Sequence, residues 1–433
     1  MKKFFYLISI AVLALAAVSC QEKEPLPVNI TIQLMVMEDN NPLAVEGVTV
    51  ELKDLAGTVS QEAATNASGA AAFSVLPGFY TASASFKSAE NGTMYSYNGA
   101  NTSVVVDEEG TVTSFPVGLT KAETQQILIK ELYIGGCPDN TGTKAYSNDS
   151  YVVLYNNSEL EADATDIQFG FLAPYNGHGT NKYRVNNALL YENESWVPAY
   201  GAIWWFTSQV TIPAYSELVV AIFSATDHTA TYTNSVDLSK PEYYWMSNSD
   251  VAQYTNAKYA VSDAISKSHY LTCSPFTMGN AWTLSNSSPA FFIGRATKEE
   301  GLALSQDTEN YDHTLGASGA FNVVKYPKAN VIDAVEVWSA ANASNSAVRF
   351  PSSLNTGAVE LTNQKGHSLY RNVDKEATMA IAENDGKIVT GYDADPSGID
   401  AVASAAKGAK IVYKDSNASD KDFHERETAS LKK

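Results

Sequence analysis

Residues 28–36 read VNITIQLMV, and every second residue from Val28 to Val36 is apolar. Alternation with a period of two places these side chains on one face of a β-strand, whereas a helix would need a period near 3.6. The alternation returns at 48–52, 73–75 and 80–86, and turn-forming residues separate the runs. This spacing predicts a small antiparallel β-sandwich over residues 28–120.

Several motifs of this region resemble those of a known family. Gly47-Val-Thr-Val-Glu-Leu52 is followed by Thr65-Asn-Ala-Ser-Gly69 and then by Leu76-Pro-Gly-Phe-Tyr80. This order resembles the carboxypeptidase regulatory-like, or transthyretin-like, repeat. The resemblance implies a seven-stranded sandwich that acts as a spacer or docking module, in which Gly69 closes a hairpin.

Residues 121–433 have a different composition, rich in Asn, Ser, Tyr and Trp, and show little helical periodicity. Short apolar runs predict strands at 127–134, 151–155, 202–206, 217–223, 290–293 and 331–338. Short helices are expected at 374–384 and, from a weaker pattern, at 399–407. The predicted fold class is therefore mainly β, a small sandwich followed by a larger β domain with long loops and few short helices.

The second region also resembles a known family in the order of its segments. These segments are Glu131–Gly136, Asp149–Ser158, Ile212–Ile222, Asn330–Glu336 and Gly366–Arg371. Their order resembles the lamin-tail domain, and the chain as a whole resembles a Bacteroidota-type lipoprotein family of unknown function. The resemblance implies a β-sandwich but no activity. Because 121–433 is much longer than such a domain, it also implies insertions, mostly at 159–210 and 225–280.

The first 20 residues, MKKFFYLISIAVLALAAVSC, are typical of a bacterial lipoprotein signal peptide. The apolar run is too short to cross a bilayer, and small residues precede Cys20 as in a lipobox. We expect a signal peptide at 1–19, lipidation of Cys20 and a linker to residue 27. The following QEKE resembles a Bacteroidota surface-export signal, which implies an outer-membrane lipoprotein at the cell surface. The alternatives are an ordinary secretory peptide and a solvated linker.

The charge balance argues against one class of partner. The chain contains 48 acidic and 29 basic residues, a formal net charge of −19. Nucleic acid binding requires Lys and Arg to neutralise phosphates, so we expect no nucleic acid partner. The same charge argues against peripheral binding to anionic lipid, and the membrane is expected as a partner only through the lipid anchor.

Two further features of the sequence each leave two interpretations open. Cys137 and Cys273 form a disulfide, which an exported protein permits, or are two buried thiols. Asp393, Asp395 and Asp400 place oxygen donors around a glycine turn, which suggests a structural calcium. Otherwise these side chains serve turn geometry, and no cofactor is expected.

Catalytic motifs are absent from the sequence. It contains neither the H-E-x-x-H of zinc proteases nor the G-x-S-x-G of serine hydrolases. Asp227-His228 resembles half of a catalytic pair, but a loop histidine bonded to backbone is the simpler interpretation. We therefore expect a protein that is not an enzyme. A hydrolase of unrecognised type, using His178 or His228, is the third hypothesis.

Two groups of aromatic residues are the candidates for ligand binding. Trp204 and Trp205 lie in a predicted strand, and Tyr243, Tyr244 and Trp245 lie in a predicted insertion. Aromatic rings stack on sugars and anchor protein interfaces, although they also fill cores. The leading hypothesis is a binding or accessory lipoprotein beside an outer-membrane (TonB-dependent) transporter. The second hypothesis is a glycan-binding surface lipoprotein.

Overall fold

A computed structural model describes residues 25–38, 40–55, 60–90, 93–123, 125–247, 257–275, 283–312 and 323–432. The predicted signal peptide and Cys20 lie outside these ranges. The chain divides into two compact units, with the boundary between Thr124 and Gln125. Strands make up 42% and helices 13%, so the mainly β fold class is confirmed.

The strands of the first unit form one continuous sheet path that folds into a sandwich. They are β1 Val28–Val36, β2 Asn41–Pro42, β3 Thr49–Asp54, β4 Ser60–Ala64, β5 Ala70–Val75, β6 Gly78–Glu90, β7 Thr93–Val106 and β8 Ser114–Glu123. Their order is β2-β1-β8-β7-β6-β3-β4, and β5 pairs with β1. β8 joins the two halves, because residues 114–119 pair with β1 and residues 120–123 pair with β7. The β1–β8 pair is parallel, which the antiparallel prediction did not include.

The core of the first unit consists of the alternating apolar residues that the sequence predicted. They include Ile30, Ile32, Leu34, Val48, Val50, Leu52, Phe73, Val75, Tyr80, Ala82 and Ala84. The turn between β4 and β5 requires glycine at position 69. Gly69 has a φ of +77°, and a Cβ there would lie 1.8 Å from the Leu43 carbonyl oxygen. Only a residue without a side chain fits this turn.

The second unit is built from many short strands. They are β9 Ile127–Tyr133, β10 Cys137–Pro138, β11 Ala145–Tyr146, β12 Tyr151–Asn156, β13 Ala162–Asp163, β14 Ile167–Phe171, β15 Arg184–Val185, β16 Ala188–Leu189, β17 Trp196–Tyr200, β18 Ala202–Trp205, β19 Thr211–Ile212, β20 Glu217–Ala221, β21 Tyr244–Trp245, β22 Thr272–Pro275, β23 Ala290–Arg295, β24 Tyr311–Asp312, β25 Val323–Pro327, β26 Val331–Ser339, β27 Val359–Leu361, β28 Ser368–Arg371 and β29 Phe423–Arg426. Two six-stranded sheets form the frame, in the orders β21-β20-β12-β9-β28-β29 and β22-β18-β14-β23-β26-β27. All the strands predicted from apolar runs belong to these sheets.

Helices in the second unit are short. The α-helices are α1 Lys298–Gln306, α2 Lys375–Ala380, α3 Ala401–Ala406 and α4 Ser419–Asp422. The 3₁₀ turns are His228–Ala230, Ala257–Tyr259, Lys267–His269, Thr308–Asn310, Lys328–Asn330, Ala340–Asn345 and Ala382–Asn384. The predicted helices at 374–384 and 399–407 are confirmed as α2 and α3, and each begins after an aspartate N-cap, Asp374 or Asp400. Among the described residues, no helix has the length and apolar character of a membrane-spanning segment.

Three hydrophobic cores lie between the layers of the described part of the second unit. The main core contains residues from both six-stranded sheets, among them Ile129, Leu154, Phe169, Trp204, Val220, Phe291, Val335 and Leu369. The second sheet also shares a core with the three-stranded sheet β17-β25-β24. The first sheet shares another core with residues from 373 to 413. Because both faces are covered, β9, β12 and β18 are buried at every residue and do not alternate between apolar and polar residues. Their buried polar residues are Lys130, Glu131 and Asn156.

The insertions implied by the lamin-tail resemblance need one correction. Residues 159–210 supply β14 and β18, which are two inner strands of the second sheet. The segment is therefore part of the frame and not an insertion. Residues 225–280 supply β21 and β22, which are the outermost strands of the two sheets.

Candidate ligand-binding groove

The candidate aromatic residues occupy two different environments. Trp204 and Trp205 are 1% and 2% exposed, since they lie on an inner strand. Successive side chains of a strand point to opposite faces, so Trp204 enters the main core and Trp205 enters the core shared with the three-stranded sheet. Trp245 is 5% exposed, and its Nε1 donates a hydrogen bond to the Phe223 carbonyl oxygen at 2.7 Å. Burial corrects the ligand-binding prediction for these three tryptophans, which are core residues.

Tyr243 and Tyr244 remain half-buried and line a groove of about 420 Å³ at the edge of the first six-stranded sheet. The residues around the groove are Thr211, Glu217, Leu218, Val219, Glu242, Tyr243, Tyr244 and His269. The short strand β21 pairs in parallel with β20, and this pairing brings the tyrosines beside Glu217. The buried Trp245 anchors β21, so the two tyrosines keep a defined position at the surface.

Contacts with His269 fix the orientation of the tyrosines. The rings of Tyr244 and His269 are stacked, with centroids 4.2 Å apart and an interplanar angle of 14°. The His269 Nδ1 lies 3.1 Å from the Tyr243 carbonyl oxygen. Phe206 packs behind Tyr244 in a T-shaped arrangement, with the two ring centroids 5.2 Å apart. The groove is therefore preorganised, and its side chains lose little conformational freedom when a ligand binds.

A buried cation holds one carboxylate of the groove from behind. The Lys130 Nζ forms an ion pair with Glu217 Oε2. Burial opposes the charge of Lys130, but Tyr413 and Glu217 outweigh it, and the pKa of the ammonium group is held above its ordinary value. The ammonium lies 5.5 Å from the ring centroids of Tyr155 and Tyr370 and 5.8 Å from that of Tyr413. Such cation–π contacts stabilise a desolvated charge.

The groove has a negative electrostatic character. Burial raises the pKa of Tyr243 to about 12, and the neighbouring charges of Glu242 and Glu217 contribute to the rise. The Tyr243 hydroxyl is therefore protonated at neutral pH and is available as a hydrogen-bond donor. The groove thus combines aromatic surface, a phenol donor and carboxylate acceptors.

Three titratable residues of the groove, Glu217, Glu242 and His269, were not identified from the sequence. Glu242 directly precedes the two tyrosines, so its position in the sequence could have identified it as part of the site. Glu217 and His269 reach the groove only through the pairing of β20 with β21 and through the turn at Lys267–His269. No local pattern marks them.

Cys137 and Cys273 are both buried, and no disulfide joins them. Cys137 lies on β10 and Cys273 on β22, which belong to different sheets. This corrects the disulfide interpretation in favour of two buried thiols. Burial, followed by the charge of Asp149, raises the pKa of Cys137 to about 12. The thiol therefore stays protonated at neutral pH, whereas a nucleophilic cysteine requires the thiolate.

His228 is buried close to Asp149, the carboxylate that also lies near Cys137. Its Nδ1 lies 2.7 Å from the Tyr146 hydroxyl, and its Nε2 lies 3.0 Å from the Ser224 carbonyl oxygen. The prediction of a histidine bonded to backbone is confirmed. The Asp149 carboxylate accepts hydrogen bonds from Tyr133 and Ser235 instead of contacting the imidazole. His178, the other histidine considered for catalysis, is exposed.

The aspartates proposed for calcium are used by the backbone. Asp395 accepts the N–H groups of Ser397 at 2.8 Å and Val373 at 3.0 Å. Asp400 caps α3 by accepting the Ala403 N–H at 3.0 Å, and Asp393 is exposed. Within the described ranges, no group of three His, Cys, Asp or Glu side chains is placed to hold a metal ion. The calcium prediction is therefore corrected, and turn geometry explains these residues.

Fold and groove together define the class as a mainly β protein of two sandwich-type units, the second with a tyrosine-lined groove. Residues 216–430 match the family model DUF4876, described as a protein of unknown function. No curated protein matches the sequence significantly.

Solved structures support the fold. The chain is similar to the crystal structure of a DUF4876 family protein from Bacteroides thetaiotaomicron VPI-5482, with 19% identity, a TM-score of 0.54 and coverage of 92% of this chain and 95% of that chain. BcpA, the major pilin subunit of Bacillus cereus, has 12% identity and a TM-score of 0.17 over 78% of this chain and 99% of that chain. At this TM-score the pilin carries no argument.

Proposed function

We propose that this chain is a non-enzymatic surface lipoprotein that binds a partner through the Tyr243–Tyr244 groove. Lipidation of Cys20 anchors it to the outer membrane, and the partner is a component of a TonB-dependent uptake system. The lipobox and the following QEKE sequence support the location. DUF4876 has no described activity, so the role is argued from the site itself.

The observation that carries the proposal is the position of the two tyrosines. Trp204, Trp205 and Tyr326 are buried in the cores of this unit, whereas Tyr243 and Tyr244 are half-buried side by side and face a groove. Tyrosine anchors protein interfaces because it combines apolar area with one hydrogen-bonding group and has few rotamers. The stack on His269 holds the ring in place before binding.

The surroundings of the reactive side chains support the non-enzymatic part of the proposal. A nucleophile needs an adjacent base within hydrogen-bond reach. The Cys137 thiol stays protonated, and both nitrogens of His228 are engaged by Tyr146 and Ser224. These groups serve the interior of the protein.

Co-purification of the full chain from outer membranes tests the proposal. The anchored wild type is expected to recover an outer-membrane transporter, and Tyr244→Ala is expected to lose it. Tyr232→Ala is the matched control, because Tyr232 is also half-buried and stacked, on Tyr146 with centroids 3.9 Å apart. Equal recovery by both variants, or recovery of no envelope protein by the wild type, would contradict the proposal.

The anchor is tested separately. Cys20→Ala is expected to move the protein out of the membrane fraction and to abolish metabolic labelling with a fatty acid. An unlabelled wild type, or a Cys20→Ala variant that still fractionates with membranes, would remove the location from the proposal.

Glycan binding is the second candidate, favoured by the combination of aromatic and carboxylate groups in the groove. A tyrosine ring offers a face for the C–H surface of a pyranose, and Glu217 and Glu242 can accept its hydroxyl groups. Calorimetry with a panel of neutral oligosaccharides tests this role. Tyr244→Phe is expected to retain binding and Tyr244→Ala to lose it, whereas equal affinity of the two variants would contradict it.

A further inference from the structure

A second cavity lies at the opposite edge of the first six-stranded sheet, beside β29. Its volume is about 560 Å³, and it is separate from the tyrosine groove. The lining residues are Thr362, His367, Tyr392, Ala394, Glu425, Arg426, Glu427 and Thr428. Nothing in the proposed function uses this cavity.

Arg426 is held in the wall of the cavity by aromatic rings. Its guanidinium carbon lies 4.9 Å from the ring centroid of Tyr392 and 5.3 Å from that of Tyr370. The side chain is only 15% exposed. These contacts fix the plane of the guanidinium but use none of its N–H groups.

The N–H groups of Arg426 have no hydrogen-bond acceptor among the described residues. The nearest carboxylate oxygen, Asp400 Oδ1, is 3.9 Å from Nη2, which is beyond hydrogen-bond length. That oxygen already accepts the Ala403 N–H as the cap of α3. A mostly buried guanidinium usually satisfies its five donors, so donors that open on a cavity indicate a ligand.

The carboxylate beside Arg426 in sequence does not serve it either. Glu425 and Arg426 are consecutive residues of β29, and both line the cavity. Glu425 accepts the Thr362 N–H at 2.6 Å and contacts the His367 Nδ1 at 2.7 Å. The His367 Nε2 has no hydrogen-bond partner in the described part of the chain and lines the same cavity.

We propose that this cavity binds the carboxylate of a small ligand, with Arg426 as its bidentate donor. The planar fork of a guanidinium matches carboxylate and phosphate groups. Glu425 and Glu427 also line the cavity, and their repulsion disfavours a doubly charged phosphate more than a singly charged carboxylate. The ligand class is therefore an acidic sugar or another small organic acid. This inference does not depend on the tyrosine groove.

Ligand-observed NMR on the full chain tests the inference with a matched pair of probes. D-glucuronate and D-glucose differ only by a carboxylate in place of a hydroxymethyl group. Saturation transfer is expected to glucuronate and not to glucose, and excess inorganic phosphate is expected to displace glucuronate poorly. Binding of succinate as well would assign the site to carboxylates in general, and binding of glucuronate alone would assign it to acidic sugars. Equal signals from glucose and glucuronate would overturn the inference.

Two variants with opposite expected effects keep the test independent of folding. Arg426→Gln is expected to weaken glucuronate binding by at least about tenfold, since it removes a charge-assisted bidentate bond. Glu427→Gln removes a repelling charge from an exposed position and is expected to tighten binding several-fold. Arg295→Gln, elsewhere in the same unit, is the control and is expected to change nothing. Unchanged binding by Arg426→Gln, or weaker binding by Glu427→Gln, would overturn the inference.

Discussion

Arg349 and Glu336 form an ion pair with both side chains completely buried, and 2.7 Å separates Nη2 of Arg349 from Oε1 of Glu336. The guanidinium also donates to the carbonyl oxygens of Pro174 and Ser288, both at 2.8 Å. The Arg349 backbone N–H donates to Glu336 Oε2 at 2.9 Å. The pair therefore ties β26 to the loops that follow β14 and precede β23, and its hydrogen-bonding capacity is nearly complete.

Removal of the Glu336 charge is expected to destabilise the second unit strongly. Glu336→Gln leaves the Arg349 charge buried without a counterion, and breaking a buried pair on one side costs about 3–5 kcal/mol. Urea unfolding measures the loss. Glu299→Gln in α1 is the exposed control, for which we expect a change within about 0.5 kcal/mol. Similar losses in both variants would show that the buried pair does not contribute as described.

Gly69 and Gly47 form a matched pair for the second prediction, which concerns the first unit. Both have positive φ, +77° and +82°, but a Cβ at Gly69 would meet the Leu43 carbonyl oxygen, whereas a Cβ at Gly47 would meet nothing within 4 Å. Gly47→Ala is expected to lower the free energy of unfolding by only about 1–2 kcal/mol, the cost of holding a residue with a Cβ in the left-handed backbone region. Gly69→Ala is expected to lower the free energy of unfolding by about 1–3 kcal/mol more, because the backbone at Leu43 must move to make room for the Cβ.

Calorimetry of the full chain measures this difference as a lower melting temperature of the first unit. For a domain of this size, each kcal/mol lowers the melting temperature by about 4–8 °C. Equal melting temperatures of the two glycine variants would refute the crowding argument at Gly69.

Several strands could be predicted because their signal is local. Ile30, Ile32 and Leu34 alternate along β1, and the apolar residues at both ends of β9 mark that strand, although Lys130 and Glu131 lie between them. Helix α1 was missed although it carries a local signal. Thr297 and Glu300 form a capping box, with the Thr297 hydroxyl accepting the Glu300 N–H at 3.2 Å and the Glu300 carboxylate accepting the Thr297 N–H at 2.8 Å.

Strand β14 was also missed, although Ile167, Phe169 and Phe171 alternate along it, and its other residues depend on distant partners. Gln168 is buried, and its amide is satisfied by the Ala296 and Thr297 carbonyl oxygens and by the Tyr326 hydroxyl. Gly170 leaves room for the Phe292 ring, which a Cβ would approach to 2.4 Å. Gln168 and Gly170 occupy the alternate positions of β14, which are also buried, and the tertiary structure explains why a glutamine and a glycine fit there.

The sites depended on tertiary structure even more. Trp204 and Trp205 looked like ligand-binding residues because the sequence does not show that both faces of β18 are covered. The carboxylate cavity joins His367, Tyr392 and Arg426, which no local motif connects.

A buried histidine is expected to make the second unit sensitive to acid. Burial lowers the pKa of His424 to about 4, its Nδ1 lies 2.7 Å from the Asn372 side-chain oxygen, and its Nε2 has no partner. The unfolded chain has an ordinary histidine pKa near 6.5 and binds more protons than the folded chain between about pH 6.5 and 4. The contribution of His424 is therefore present above that window and is lost as the pH falls through it.

Urea unfolding of the wild type and of His424→Gln between pH 7 and pH 4 checks the direction of this pH dependence of stability. The free energy of unfolding of the wild type is expected to fall more steeply with acidification, and the difference between the two proteins shrinks toward pH 4. His178→Gln, at an exposed histidine, is expected to follow the wild type. A difference that grows toward low pH would show that His424 is charged in the folded protein.

The last prediction concerns the two thiols. Because Cys137 and Cys273 are buried and not joined by a disulfide, a Cys20→Ala chain is expected to show no thiol reactive toward Ellman's reagent when folded and two when unfolded without reductant. Reductant should leave its melting temperature unchanged, since no cross-link constrains the unfolded chain. A disulfide between these residues would close a long loop, so its reduction would lower stability by about 4–5 kcal/mol in the chain-entropy model. Two thiols that appear only after reduction would restore the disulfide interpretation.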